Sequence, residues 1–174
     1  MFIKYLVLFF SLMLMTFVAS SKQTHEINEK NNLTESLNFG EINQLLIRTE
    51  EIRTTNFQEF ENNLHVLVNL KDQFNGFQQC FYDYLYSYKQ TYIGEFNQAL
   101  EQLTELSQKC EDVDVLVRIN ALLSNLYVIS GDYQKAILYL DHLISVIDDI
   151  KDKNTKHIAY TVSFVVYEIV NQWE

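Results

Sequence analysis

Residues 86–106 read YSYKQTYIGEFNQALEQLTEL and residues 123–143 read LSNLYVISGDYQKAILYLDHL, and the two stretches share one frame. Aligned on Gly94 and Gly131, the series Phe96, Ala99, Leu103, Leu106 falls at the same offsets as Tyr133, Ala136, Leu140, Leu143, with a period of 37 residues. Each residue type has a physical reason. A glycine ends a first helix where positive φ costs least without a Cβ. The aromatic two positions on is expected to plug the open end of a hairpin. The alanine sits where two helices cross closely, and the leucines four and seven residues later keep one face inward. Seven residues before each glycine stands a small residue, Ser87 or Ser124. The pattern predicts helical hairpins, used twice.

Composition agrees with an all-α chain. Among 174 residues there is no proline and there are four glycines, where average usage gives roughly nine and twelve. A sandwich or a doubly wound sheet needs many more turn residues than that, so the expectation is helices joined by short polar connections. Outward from the two hairpins the helical period continues. Ile42, Leu45, Leu46 and Ile52 mark one helix, and Phe57, Phe60, Leu64, Leu67 and Val68 mark a second beyond a Thr54-Thr55-Asn56 break. Gly76 reads as a turn residue. The predicted hairpins span about 42–70, 77–110 and 115–150, with a half-hairpin at 155–174 whose turn is placed at Asn171, followed by Trp173. The whole helical-repeat domain is 39–174.

The N-terminus, MFIKYLVLFFSLMLMTFVASS, has the layout of a secretory signal: one early lysine, an apolar run from Tyr5 to Val18, then small residues. Cleavage near residue 21 is expected, with an uncleaved anchor as the alternative. Residues 22–38 are polar and aperiodic and read as a flexible leader. An exported chain is implied, periplasmic in a bacterial host. The net charge is -10, and without residues 1–21 twelve basic side chains face 23 acidic ones, 12 − 23 = -11. That balance argues against nucleic acid and anionic membrane surfaces as partners.

The Gly-x-aromatic-x-x-Ala turn resembles the tetratricopeptide repeat, although the period there is about 34 residues and its early Trp and terminal Pro are missing here. Read in order, IRTTNFQEFENNLHVLVNL (52–70), CFYDYLYSYKQTYIGEFNQALEQL (80–103), VLVRINALLSNLYVISGDYQKAILYL (115–140) and YTVSFVVYEIVNQW (160–173) resemble the periplasmic sensor region of bacterial GGDEF diguanylate cyclases. In that family a signal peptide and a helical-repeat domain precede a membrane helix and a cytoplasmic catalytic domain. This chain carries no GGDEF motif and no second membrane helix, so the resemblance implies a non-catalytic sensory region and no cyclase activity. Membrane attachment would come only through an uncleaved signal or a missing C-terminal segment. The alternative is a free-standing scaffold for protein partners.

Candidate ligand contacts lie on first helices, which line the concave groove of such arrays. Phe81, Tyr84, Tyr88 and Tyr92 share one face, suited to a peptide, a protein segment or a small ring-bearing ligand, with core packing as the competing role. Arg118 and Asn125 are seven apart, on one face of another helix. They would hold a carboxylate and a backbone amide, or else Arg118 pairs with nearby Asp112 or Asp114. Cys80 and Cys110 mark the two free ends of one hairpin and are expected either to form a disulfide or to remain two buried thiols. His25, His65, His142 and His157 lack metal spacing, no nucleophile–base order is recognisable, and no cofactor is implied.

Overall fold

The computed structural model describes residues 37–171; the expected signal sequence, most of the expected leader and Trp173 lie outside them. The described chain is all-α: α1 Phe39–Ile52, α2 Phe57–Val68, a 3-10 turn Lys71–Gln73, α3 Gly76–Tyr92, α4 Phe96–Lys109, α5 Val113–Ser130, α6 Tyr133–Ser145 and α7 Lys153–Asn171. Asparagines and aspartates start most of these helices. Asn38, Asn56, Asn75, Asp112 and Asp132 each accept a backbone N–H of the following first turn, which satisfies donors that have no intrahelical partner. Asn38 and Asn75 do so reciprocally with Glu41 and Gln78.

The glycine turns form as their spacing predicts. Gly94 has φ 89° and Gly131 φ 81°, each just past the end of a first helix. The N–H of Glu95 returns to the Gln90 carbonyl at 2.9 Å, and that of Asp132 to the Tyr127 carbonyl at 2.9 Å. Gly76 is different: it is the first residue of α3, capped by Asn75, and has no positive φ. The turn expected there is made by residues 69–75, with Asn69 capping α2 and the 3-10 segment following.

Ala99 and Ala136 are fully buried at the helix crossings, with Leu103, Leu140 and Leu143 beside them. Ser124 is buried too, and its Oγ donates to the Ala136 carbonyl at 2.8 Å, tying α5 to α6. Ser87 donates to the Asp83 carbonyl at 2.9 Å and to Gln102 Oε1 on α4 at 3.4 Å. The aromatic after the glycine was expected to plug each hairpin end, and the two hairpins differ in this. Phe96 is 44 % exposed, because it begins α4 on the solvent side, while Tyr133 is half-buried against the second core cluster.

The core has two parts that meet along α5. One gathers Ile42, Leu46, Phe60, Leu67, Leu85, Leu103, Ile119 and Leu123; the other gathers Val117, Ala121, Leu140, Leu143, Ala159, Val162 and Val166. Helix α5 packs against α3, α4, α6 and α7, so it is apolar nearly all round, as a helix buried on several sides must be. That is why it reaches the length and apolarity of a membrane span. Helix α7 packs on α5 and α6 through Ala159, Val162, Val166 and Val170. It stays helical through Asn171, where the turn was expected.

Candidate binding surfaces

Arg118 lies at the centre of the most connected polar cluster. It is 8 % exposed, and its Nε donates to both carboxylate oxygens of Glu50 on α1, at 2.8 and 2.9 Å. Nη1 donates to the Asp114 carbonyl at 2.8 Å and to the Thr155 hydroxyl, and Nη2 reaches Asp152 Oδ2 at 3.4 Å. The guanidinium also stands 5.4 Å from the Phe81 ring centroid. Burial works against this cation, but Glu50, Tyr84 and Asp152 together more than offset it, so the net shift raises the pKa of Arg118. Asp152 in turn caps α7, accepting the Thr155 N–H and hydroxyl at 2.7 Å each. Burial would raise the Asp152 carboxyl, but Thr155 and Arg118 hold it below the usual range.

The sequence places a carboxylate in the grip of Arg118, and the structure supplies one from within the chain. Neither local candidate pairs with its guanidinium through a side chain. Asp112 caps α5 at Val115, 3.0 Å away, and Asp114 offers only its carbonyl. Asn125 is half-buried and makes no side-chain hydrogen bond among the described residues.

The aromatic row of α3 runs from core to surface. Phe81 and Tyr84 are buried, Tyr88 is half-buried with Arg53 over its ring at 5.1 Å, and Tyr92 is 56 % exposed. Tyr88 meets Phe60 edge-on at 5.9 Å, and Tyr92 stacks on Phe57 at 3.9 Å and 18°. This face of α3 therefore packs on α1 and α2. Burial pushes the Tyr84 phenol up to about 12, with Arg53 and Arg118 pulling the other way and Glu50 adding to the rise.

An open cleft of about 510 Å³ lies on a different face of α3, between it, α4 and the end of α2. Its wall carries Tyr82 and Tyr86, one helical turn apart and stacked with centroids 6.2 Å apart at 24°. Lys71 sits 4.5 Å from the Tyr82 ring centroid and 3.5 Å from Asp83 Oδ1. Lys109 pairs with Glu105 on the facing helix. Gln102 and Ser87 line the floor. Tyr82 and Tyr86 lie off the face shared by Phe81, Tyr84, Tyr88 and Tyr92, and their i, i+4 spacing beside Asp83 is the sequence signal that marks this second face.

Cys80, early in α3, and Cys110, which caps α4, are free thiols. Both stand at the end of the α3–α4 hairpin away from Gly94, and burial together with the neighbouring Cys80 thiol pushes Cys110 well above the ordinary cysteine range. Among the described residues no three His, Cys, Asp or Glu side chains are grouped to hold a metal. No family model, curated protein or solved structure matches the chain.

Proposed function

We propose that the chain is a non-catalytic, exported binding module built from tetratricopeptide-like hairpins stacked as a helical repeat, periplasmic in a bacterial host. The observation that carries the binding reading is Tyr86, 40 % exposed and stacked on the buried Tyr82, flanked by Lys71 and Lys109 and by Asp83 and Glu105, in an open cleft of about 510 Å³. Tyrosine faces give contact area at low entropic cost, and charges of both signs at the rim suit a short peptide that presents a ring beside polar backbone groups. The setting that the sequence resemblance supports is the sensory region of a diguanylate cyclase-type signalling protein, where occupancy would stiffen the array.

A free-standing scaffold is the second reading. It is favoured by Tyr160, Phe164 and Tyr167, which stand exposed at i, i+4 and i+7 along α7. In both readings the module binds and does not react.

The test is a titration of the full chain with capped peptides that do or do not carry Phe, Tyr or Trp, followed by calorimetry and thermal shift. Ring-bearing peptides are expected to bind, and Tyr86→Ala to weaken them about tenfold at unchanged Tm, while Tyr92→Ala leaves them alone. Loss at Tyr92 instead would move the site to the row facing α2. No binding by any ring-bearing peptide would overturn the reading.

A further inference from the structure

Cys80 and Cys110 are thirty positions apart in sequence, one near the start and the other just past the end of a single helical hairpin. Helices α3 and α4 pack together as a hairpin whose turn is at Gly94, so the start of α3 and the end of α4 meet at the opposite end. The Cys110 N–H donates to the Leu106 carbonyl at 2.9 Å, which fixes its backbone at the last turn of α4. Both side chains join the same core cluster, Cys110 buried within it and Cys80 half-buried against it.

We propose that Cys80 and Cys110 form a thiol–disulfide exchange site that locks the α3–α4 hairpin when a small-molecule disulfide is the oxidant. Cys80 is the more accessible sulfur and attacks first. Its thiolate bonds to one sulfur of the external disulfide and expels the other half as a thiolate, which takes up the proton that Cys80 released. Cys110, as thiolate, then attacks Cys80 Sγ, forms the internal bond and expels the second half, which is protonated in turn. The two protein thiols lose two electrons, and the external disulfide becomes two thiols.

The raised pKa of Cys110 leaves little of it as thiolate, so the second step is the slower one and the mixed disulfide at Cys80 accumulates transiently. The lock falls beside the cleft. Tyr82 lies two residues after Cys80 and Lys109 one before Cys110, so the bond fixes the spacing between two of the cleft's lining residues. The proposal does not depend on the cleft binding anything.

The full chain, reduced and then incubated with oxidised glutathione at pH 8, is quenched by acid, alkylated and analysed by mass spectrometry. The expected product is a monomer lacking two hydrogens, with a peptide cross-link between Cys80 and Cys110 and a Tm raised on the order of 5–15 °C. C110S is expected to stop at the glutathione adduct on Cys80. The wild-type chain decides the matter without relying on the variant's folding. A stable glutathione adduct with Cys110 still alkylated, a disulfide between two chains, or two thiols left unchanged would each overturn the proposal.

Discussion

Arg118 on α5 reaches Glu50 on α1 across 68 residues of chain, with its Nε shared between the two carboxylate oxygens. The same guanidinium holds Asp152 and Thr155 at the start of α7, so a single side chain joins the first, fifth and seventh helices. Both members of the pair are buried, Arg118 at 8 % and Glu50 at 7 % exposure. A pair of this kind costs much to desolvate, and its loss is felt chiefly through the charge left behind.

Removing both partners is therefore expected to cost less than the two single removals added together. Glu50→Leu should destabilise by about 2–4 kcal/mol and Arg118→Met by a similar amount, measured by urea unfolding. The double variant should lose about 1–3 kcal/mol less than the sum of the singles. Simple additivity would show that Glu50 and Arg118 are not energetically coupled.

That pair also marks what the sequence could and could not reveal. Helices and turns were legible because their causes are local: Ala99 and Ala136 at the crossings and positive φ at Gly94 and Gly131 follow from spacing alone. The need of Arg118 for a carboxylate was legible as well, since a cation within an apolar helix must be paired. Which carboxylate serves was not, because Glu50 becomes a neighbour only when α1 packs beside α3 and α3 beside α5. The rotation of α3 was equally hidden. With Phe81, Tyr82, Tyr84, Tyr86 and Tyr88 spread around the helix, the pattern alone does not say which rings enter the core.

The phenols of Tyr82 and Tyr84 give the fold an alkaline limit. Burial is the largest cause in both, and each is pushed up to about 12. An unfolded tyrosine ionises near 10, so the folded chain holds its phenol protons while the unfolded chain releases them. The stability tied to the neutral phenols is thus complete below about pH 10 and is lost as pH rises toward 12. Urea midpoints taken from pH 8 to 11.5 should fall above about pH 10, and Tyr84→Phe should fall less steeply. An equal slope in Tyr84→Phe would show that Tyr84 ionises alike in both states.

Gln90 is an opportunity for stabilisation. Its side chain is buried, and neither Oε1 nor Nε2 has a hydrogen-bond partner among the described residues. A buried amide without partners costs about 1–3 kcal/mol, whereas an apolar side chain of similar size carries no such penalty. Gln90→Met is accordingly expected to raise stability by roughly 1 kcal/mol, read from the urea midpoint at constant m-value. A fall of similar size would mean that an ordered water satisfies the amide.

The three glycines Gly76, Gly94 and Gly131 separate backbone cost from steric cost, because a Cβ added at any of them meets nothing within 4 Å. Gly94 and Gly131 have positive φ, so alanine there is strained by about 1–2 kcal/mol through the backbone alone. Asparagine, which tolerates that region better, should cost less. Gly76 lies in the first turn of α3 with no positive φ, so Gly76→Ala should stabilise by about 0.4–1 kcal/mol by limiting the unfolded chain. Thermal unfolding of G76A, G94A, G131A and G131N measures all four on one scale. If G131A matches G76A, Gly131 is not required for the left-handed turn, and the shared frame of the two hairpins rests on Ala99 and Ala136 instead.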